Sequence, residues 1–248
     1  MDRLAACAPQ SSTMTKTVQF DSTASHPKHG IAMIYDLEGF SRFFNQPDVQ
    51  DYVPKFLNLV SEALSIAIYG GKAYWLPMAE NLDPLAAVPV HEKFLGDGAM
   101  YIWLEADGEP LSTSFVTTLC NRLWNLKKFF PTLLKTAFDQ LPIVDLPTRV
   151  RFGIARGTIY ELTRKDSDAS EYIGFCMNLA SRLQKYCPAL DFIASARIGL
   201  AQERLEKHGY LRVVATHIKG FPREIVILDK AEWNALDPSA RDELFEMI

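Results

Sequence analysis

The sequence predicts an α+β domain in a ferredoxin-like βαββαβ order, with a mixed, mostly antiparallel sheet and helices packed on one face of it. Three observations predict this. Short apolar runs alternate with amphipathic segments of helical period. A hairpin pattern, "EKFLGDGAMYIWLE", interrupts that alternation. A second pair of strand-like runs, "YLRVVATHIKGFPREIVILDK", closes it, with its turn expected over 220–222. The order read along the chain is β, α, hairpin, α, β, α, β, α, β-hairpin, without internal repeats.

Each element has a local reason. Residues 30–35 are apolar and bounded by turn formers, which reads as a buried strand. Phe56, Leu57, Val60, Ala63, Leu64 and Ala67 follow helical spacing until Gly70 and Gly71 stop it. Residues 72–90 carry three prolines and no clean period, so an extended insertion or loop is expected there. The hairpin then turns at Gly96, Asp97 and Gly98. A long helix over 111–140 buries Phe115, Val116, Leu119, Leu123, Leu126 and Phe130, with Pro131 placed to kink it. "TRVRFGIARGTIYELT" reads as a strand pair or one long strand bent near Gly157. "CMNLASRLQKYC" reads as a helix, and "DFIASARI" as a strand running into a short helix.

The 248 residues fit one large domain. Residues 1–28 are expected to be a flexible N-terminal tail, and residues 29–248 the folded domain. A net charge of −4 argues against broad nucleic-acid binding through phosphates. Cys7, Cys120, Cys176 and Cys187 show no CxxC and no paired framework, which favours a reducing compartment. The five histidines are scattered and do not suggest zinc. No apolar run reaches the length of a membrane span, and the N-terminus is too polar for a signal-peptide core. A cytoplasmic protein without membrane contact is expected.

Two lone carboxylates stand out. Asp36 ends the apolar run "IAMIYD", and Asp97 sits between two glycines in the hairpin turn. In a βαβ-hairpin core those two places can be neighbours. Two carboxylates and a backbone carbonyl suit Mg²⁺ or Mn²⁺, which prefer oxygen ligands and leave room for phosphate oxygens. An Asp in a Gly-Asp-Gly turn is also commonly just a turn former. Further along, Asn178 and Arg182 lie four apart on one helix face. Such a pair is often only a solvated surface, but a planar cation also suits charge developing on phosphate. Lys219 precedes Gly220 in a tight turn, a plausible triphosphate contact.

Five blocks in this order, "YDLEGFS", "KFLGDGAMY", "RVRFGIARGTI", "YIGFCMNLASRL" and "HIKGFPREIVIL", resemble the catalytic domain of class III nucleotidyl cyclases over roughly residues 29–230. The resemblance implies two divalent metal ions held by Asp36, Asp97 and the Leu37 carbonyl. It implies that Asn178 orients the ribose, Arg182 stabilises the transition state and Lys219 holds the triphosphate. It implies sites formed across a head-to-tail homodimer, with metals from one subunit and Asn178 and Arg182 from the other. The reaction implied is attack of the ribose 3′-hydroxyl on the α-phosphate of a nucleoside triphosphate, with loss of pyrophosphate.

The same resemblance places the base readers at Lys93 and Glu171, a donor and an acceptor. That pair fits adenine, cytosine and uracil, and disfavours guanine. Departures from the family pattern include a longer stretch between the aspartates with Tyr74 and Trp75 in it, Phe175 and Cys176 before Asn178, and a reduced Lys219-Gly220 turn. No receptor or sensory domain is read in the sequence. With bulky side chains expected near the base, the chain resembles the pyrimidine cyclases of bacterial Pycsar antiphage systems. These make cyclic UMP or cyclic CMP as a signal to a separate cyclic-nucleotide-responsive effector. UTP is favoured over CTP, because a lysine suits the uracil O4 oxygen. An adenylate cyclase is the alternative, and a cyclase-like binding protein without turnover is the alternative of another class. The "NLASR" helix argues against a palm-type polymerase or diguanylate cyclase.

Overall fold

A computed structural model describes residues 18–248 apart from 24, 107–108, 138–139, 142, 144 and 166–169. In chain order its strands are β1 (Lys28–Glu38), β2 (Gly71–Ala73), β3 (Glu80–Leu82), β4 (His91–Phe94), β5 (Gly98–Leu104), β6 (Arg149–Thr163), β7 (Ser170–Gly174), β8 (Phe192–Ser195), β9 (Tyr210–Ile218), β10 (Phe221–Asp229) and β11 (Phe245–Met247). Its helices are α1 (Phe40–Phe44), α2 (Val53–Tyr69), α3 (Thr113–Thr136), α4 (Phe175–Tyr186), α5 (Gln202–Lys207), α6 (Lys230–Ala235) and α7 (Pro238–Leu244). The main sheet runs β11-β9-β10-β8-β6-β1-β5-β4, with β7 also beside β6. Of the strand pairs described, β6–β8 is parallel and the others are antiparallel. The α+β class and the mostly antiparallel sheet are as expected.

The helices cover both faces of the sheet, not one. Ile31, Met33, Tyr35 and Leu37 of β1 join the core made by α2 and α3. Ala32 and Ile34 join a second core with Cys176, Leu179, Ala180 and Leu183 of α4. Successive side chains of a strand point to opposite faces, so a strand apolar at every position is buried twice.

The stretch 72–90 is a packed insertion. β2 and β3 form their own two-stranded sheet, Trp75 is 2% exposed, and the Trp103 indole donates to the Ala87 carbonyl at 3.2 Å. Trp75 sits in the α2 and α3 core. Lys93 pairs in register with Met100, which faces α4. Trp75 is therefore on the opposite face of the sheet from Lys93 and is not one of the bulky side chains near the base.

Residues 149–163 make one long strand. Its far half pairs with β7, a strand that the sequence did not lead us to expect. Pro131 lies inside α3. The closing hairpin turns at Lys219-Gly220, where Gly220 takes a φ of 83°, and Pro222 belongs to β10 instead of the turn. α1, α6, α7 and β11 were not anticipated. Of the expected tail, residues 1–17 and 24 lie outside the described residues. Gln19 and Asp21 exchange backbone hydrogen bonds with Thr163 and Lys165 at 2.9 Å. Among the described residues no helix is long and apolar enough to cross a membrane.

Candidate active site

The two aspartates are brought together by backbone pairing. Asp36 lies opposite Gly98 of β5 on one side and Arg151 of β6 on the other. The turn closes with the Leu95 N–H donating to the Gly98 carbonyl at 2.8 Å. It is clipped to β1 by the Leu37 N–H, which donates to the Asp97 carbonyl at 2.9 Å. This approach requires glycine: a Cβ at Gly98 would stand 2.0 Å from the Tyr35 carbonyl oxygen. Gly96 takes a φ of 100°, which glycine adopts without strain. The glycines flanking Asp97 thus deliver its carboxyl beside Asp36.

The electrostatics follow from that proximity. Burial, and next the Asp36 charge, raise the Asp97 carboxyl above its ordinary value, while Lys185 of α4 works in the opposite direction. Asp36 is matched by a cation that sequence reading did not single out. Its Oδ2 accepts from the Arg151 Nη2 at 2.6 Å, with the two side chains 13% and 16% exposed. One rung along, Glu38 pairs with Arg149 at 2.6 Å. The signal was present as "DLE" against "RVR", acids and bases alternating on the same face of adjacent strands.

The residues fit divalent cations by donor chemistry. Asp36 and Asp97 offer adjacent carboxylate oxygens, and the Asp36 charge raises the cost of ionising Asp97. Among the described residues no third His, Cys, Asp or Glu joins them. That suits Mg²⁺ or Mn²⁺, whose other positions are taken by water and phosphate oxygens.

A second grouping forms on the α4 face. Lys93 of β4 donates to Glu171 of β7 at 2.9 Å. That bond, ahead of other causes, holds the Glu171 carboxyl below its ordinary value. Arg164 stands 3.9 Å from Glu171. His91, two positions before Lys93, lies against the Tyr172 ring with centroids 4.9 Å apart. Burial pushes its imidazole down, with the Glu171 charge pulling the other way.

Asn178 and Arg182 are exposed on α4, whose opposite face is buried through Leu179, Ala180 and Leu183. Lys219 is exposed at the tip of the β9–β10 hairpin. That tip is held near the start of α4 by Phe221 against Phe175, with ring centroids 5.2 Å apart. The Arg197 guanidinium lies over the same Phe175 ring at 5.2 Å. Asn178, Arg182 and Lys219 make no hydrogen bond or ion pair with Asp36 or Asp97 within the chain. The structure thus joins Asp36 with Asp97 and Lys93 with Glu171, and leaves the other three facing solvent.

No protein-family model matches the sequence, and no curated protein matches it. Solved structures do resemble the fold. The adenylyl cyclase CyaB from P. aeruginosa superposes with a TM-score of 0.57 at 18% identity, over 83% of this chain and 95% of that one. The guanylyl cyclase Cya2 gives 0.53 at 14% identity, over 83% and 92%. A bacterial light-regulated adenylyl cyclase gives 0.55 at 14% identity, over 85% of this chain and 54% of that one, so the present chain spans about half of that protein. The fold is that of nucleotidyl cyclase catalytic domains.

Proposed function

We propose that the protein is a nucleotide cyclase that converts a pyrimidine nucleoside triphosphate, UTP before CTP, to its 3′,5′-cyclic monophosphate and pyrophosphate. The observation that carries this reading is the Asp36–Asp97 pair, clipped together by the Leu37 N–H to Asp97 carbonyl hydrogen bond within a cyclase fold. Two bound Mg²⁺ or Mn²⁺ ions would supply the acidity that activates the 3′-hydroxyl and the charge that balances the departing pyrophosphate.

The chain's own residues divide the remaining work. Asp36, Asp97 and the Leu37 carbonyl hold the ions. Asn178 orients the ribose. Arg182 meets the charge that grows on the α-phosphate, and Lys219 holds the triphosphate. These last three are exposed, on α4 and at the β9–β10 tip, which supports a homodimer in which each subunit completes the other's site.

Lys93 and Glu171 are the base readers of this proposal. Their 2.9 Å contact sets a donor and an acceptor side by side, matching uracil O4 and N3–H. With Trp75 in the far core, the pyrimidine reading rests on this pair and no longer on a narrowed pocket. The pair serves adenine N1 and its 6-amino group as well, and two of the similar structures are adenylyl cyclases, so ATP is the second reading. In the leading reading the product is a cytoplasmic second messenger of bacterial antiphage defence, acting on a separate effector.

The test is purified protein with each of the four nucleoside triphosphates and Mn²⁺, products identified by mass spectrometry. Cyclic UMP as the main product supports the proposal. Cyclic AMP alone replaces it with the second reading, and no cyclic product from any of the four refutes cyclase function.

A further inference from the structure

The geometry points to Arg151 as a built-in counter-ion of the metal site: a positioning residue that holds the Asp36 carboxylate while no cation is bound, and that competes with the incoming cation for it. This rests on the metal reading above. Asp36 and Arg151 are direct cross-strand partners, so the sheet register sets the contact and not a chance reach of a long side chain. The Nη2 to Oδ2 distance is 2.6 Å, and both side chains are largely buried. In such surroundings a charge pair is screened far less than at the surface. The Arg151 Nε is itself buried without a hydrogen-bond partner among the described residues, which leaves the Asp36 contact to hold the guanidinium. Arg149, one rung away, divides its guanidinium between Glu38 and Asp191, at 2.6 and 2.7 Å, so it belongs to a different cluster. Arg151 is the cation paired with Asp36, while Lys185 of α4 acts on Asp97.

The consequence concerns affinity. With Arg151 in place, a first divalent ion meets two carboxylates and one guanidinium instead of two bare carboxylates. One Asp36 oxygen is already engaged. The nucleotide-free protein therefore binds cations weakly, and firm binding awaits the additional oxygens of a triphosphate. Even at the dielectric of bulk water, removing a positive charge from about 5 Å of a divalent ion raises affinity roughly tenfold, and a partly buried site screens it less, so tenfold is a lower bound.

The experiment measures free Mn²⁺ by electron paramagnetic resonance while the nucleotide-free protein is titrated at pH 8. Wild type is compared with Arg151→Gln, Arg151→Lys and Asp97→Asn, and circular dichroism confirms that each is folded. The expected result is Mn²⁺ binding at least roughly tenfold tighter in Arg151→Gln, near wild type in Arg151→Lys, and lost in Asp97→Asn. Unchanged or weaker binding in Arg151→Gln, with Asp97-dependent binding intact in wild type, overturns the counter-ion role alone. Identical titrations for wild type and Asp97→Asn overturn the metal reading and this inference together. Should Arg151→Gln not fold, the wild-type Arg151 Nε–Hε resonance, identified by its absence in Arg151→Lys, decides the matter. It shifts on Mg²⁺ addition if the guanidinium yields Asp36, and a resonance that stays in place contradicts the role.

Discussion

Lys93 and Glu171, 78 positions apart in sequence, meet at 2.9 Å on the α4 face of the sheet. One comes from the strand that leads into the Asp97 turn, the other from the short strand that precedes α4. The Asp97 turn and the start of α4 are thereby joined through one ion pair between the two proposed base readers. Both side chains are partly exposed, at 47% and 30%, so the pair contributes little to folding. Its removal is expected to act on substrate instead. Lys93→Ala should lower kcat/KM for the preferred nucleotide at least tenfold, because a buried base edge would lose a charged donor. Its melting temperature should stay within about 1 °C of wild type. Unchanged nucleotide preference in Lys93→Ala contradicts the assignment of Lys93 to the base.

Asp97 gives a pH-dependent signature. Its carboxyl is raised above the ordinary 3.8, by burial first and the Asp36 charge second. An acid raised on folding contributes stability below its unfolded pKa and loses that contribution as pH rises through the folded value. At pH 8 the ionised Asp97 therefore weighs against the metal-free fold. Asp97→Asn should raise the melting temperature in EDTA by roughly 2 °C at pH 8, a modest figure for a partly solvated group, and should give no gain near pH 3. Added Mn²⁺ should stabilise wild type and not the variant. A variant less stable than wild type at pH 8 in EDTA contradicts the like-charge account.

The homodimer is tested by subunit mixing. Asp36→Ala and Arg182→Ala proteins, each inactive alone, should recover part of the wild-type activity when mixed. The mixed dimer holds one intact site and one doubly broken site. Absence of recovery, with subunit exchange confirmed by differently labelled protomers, counts against a site shared between chains.

How much of this was legible in the sequence depends on what specifies each part. The Gly-Asp-Gly turn and the run ending at Asp36 are specified by local chemistry, and both stand where expected. β7 was not expected because it is short, opens on Ser170 and Glu171 and shows no apolar alternation. It is held by backbone pairing with β6 and by the Ser170 hydroxyl donating to Glu161 at 2.7 Å, neither of which leaves a hydrophobic period. Helices on both faces were foreshadowed by "GIAMIY", which is apolar at every position instead of every second one. The place of Trp75 was not legible, because nothing local says which face of the sheet an insertion with three prolines packs against. Arg151 was visible only after strand register put "RVR" opposite "DLE". Asn178, Arg182 and Lys219 owe their expected roles to resemblance, and a single chain leaves them in solvent.

The most direct measurement is a phosphorus-31 spectrum of UTP incubated with the protein and Mg²⁺, with chelator added before acquisition. The account predicts loss of the triphosphate α, β and γ signals, with a cyclic phosphodiester signal and pyrophosphate appearing in equal amounts. Asp97→Ala protein should leave UTP intact. Inorganic phosphate with UDP, or unchanged UTP, CTP and ATP under the same conditions, would contradict the claim that this chain is a nucleotide cyclase.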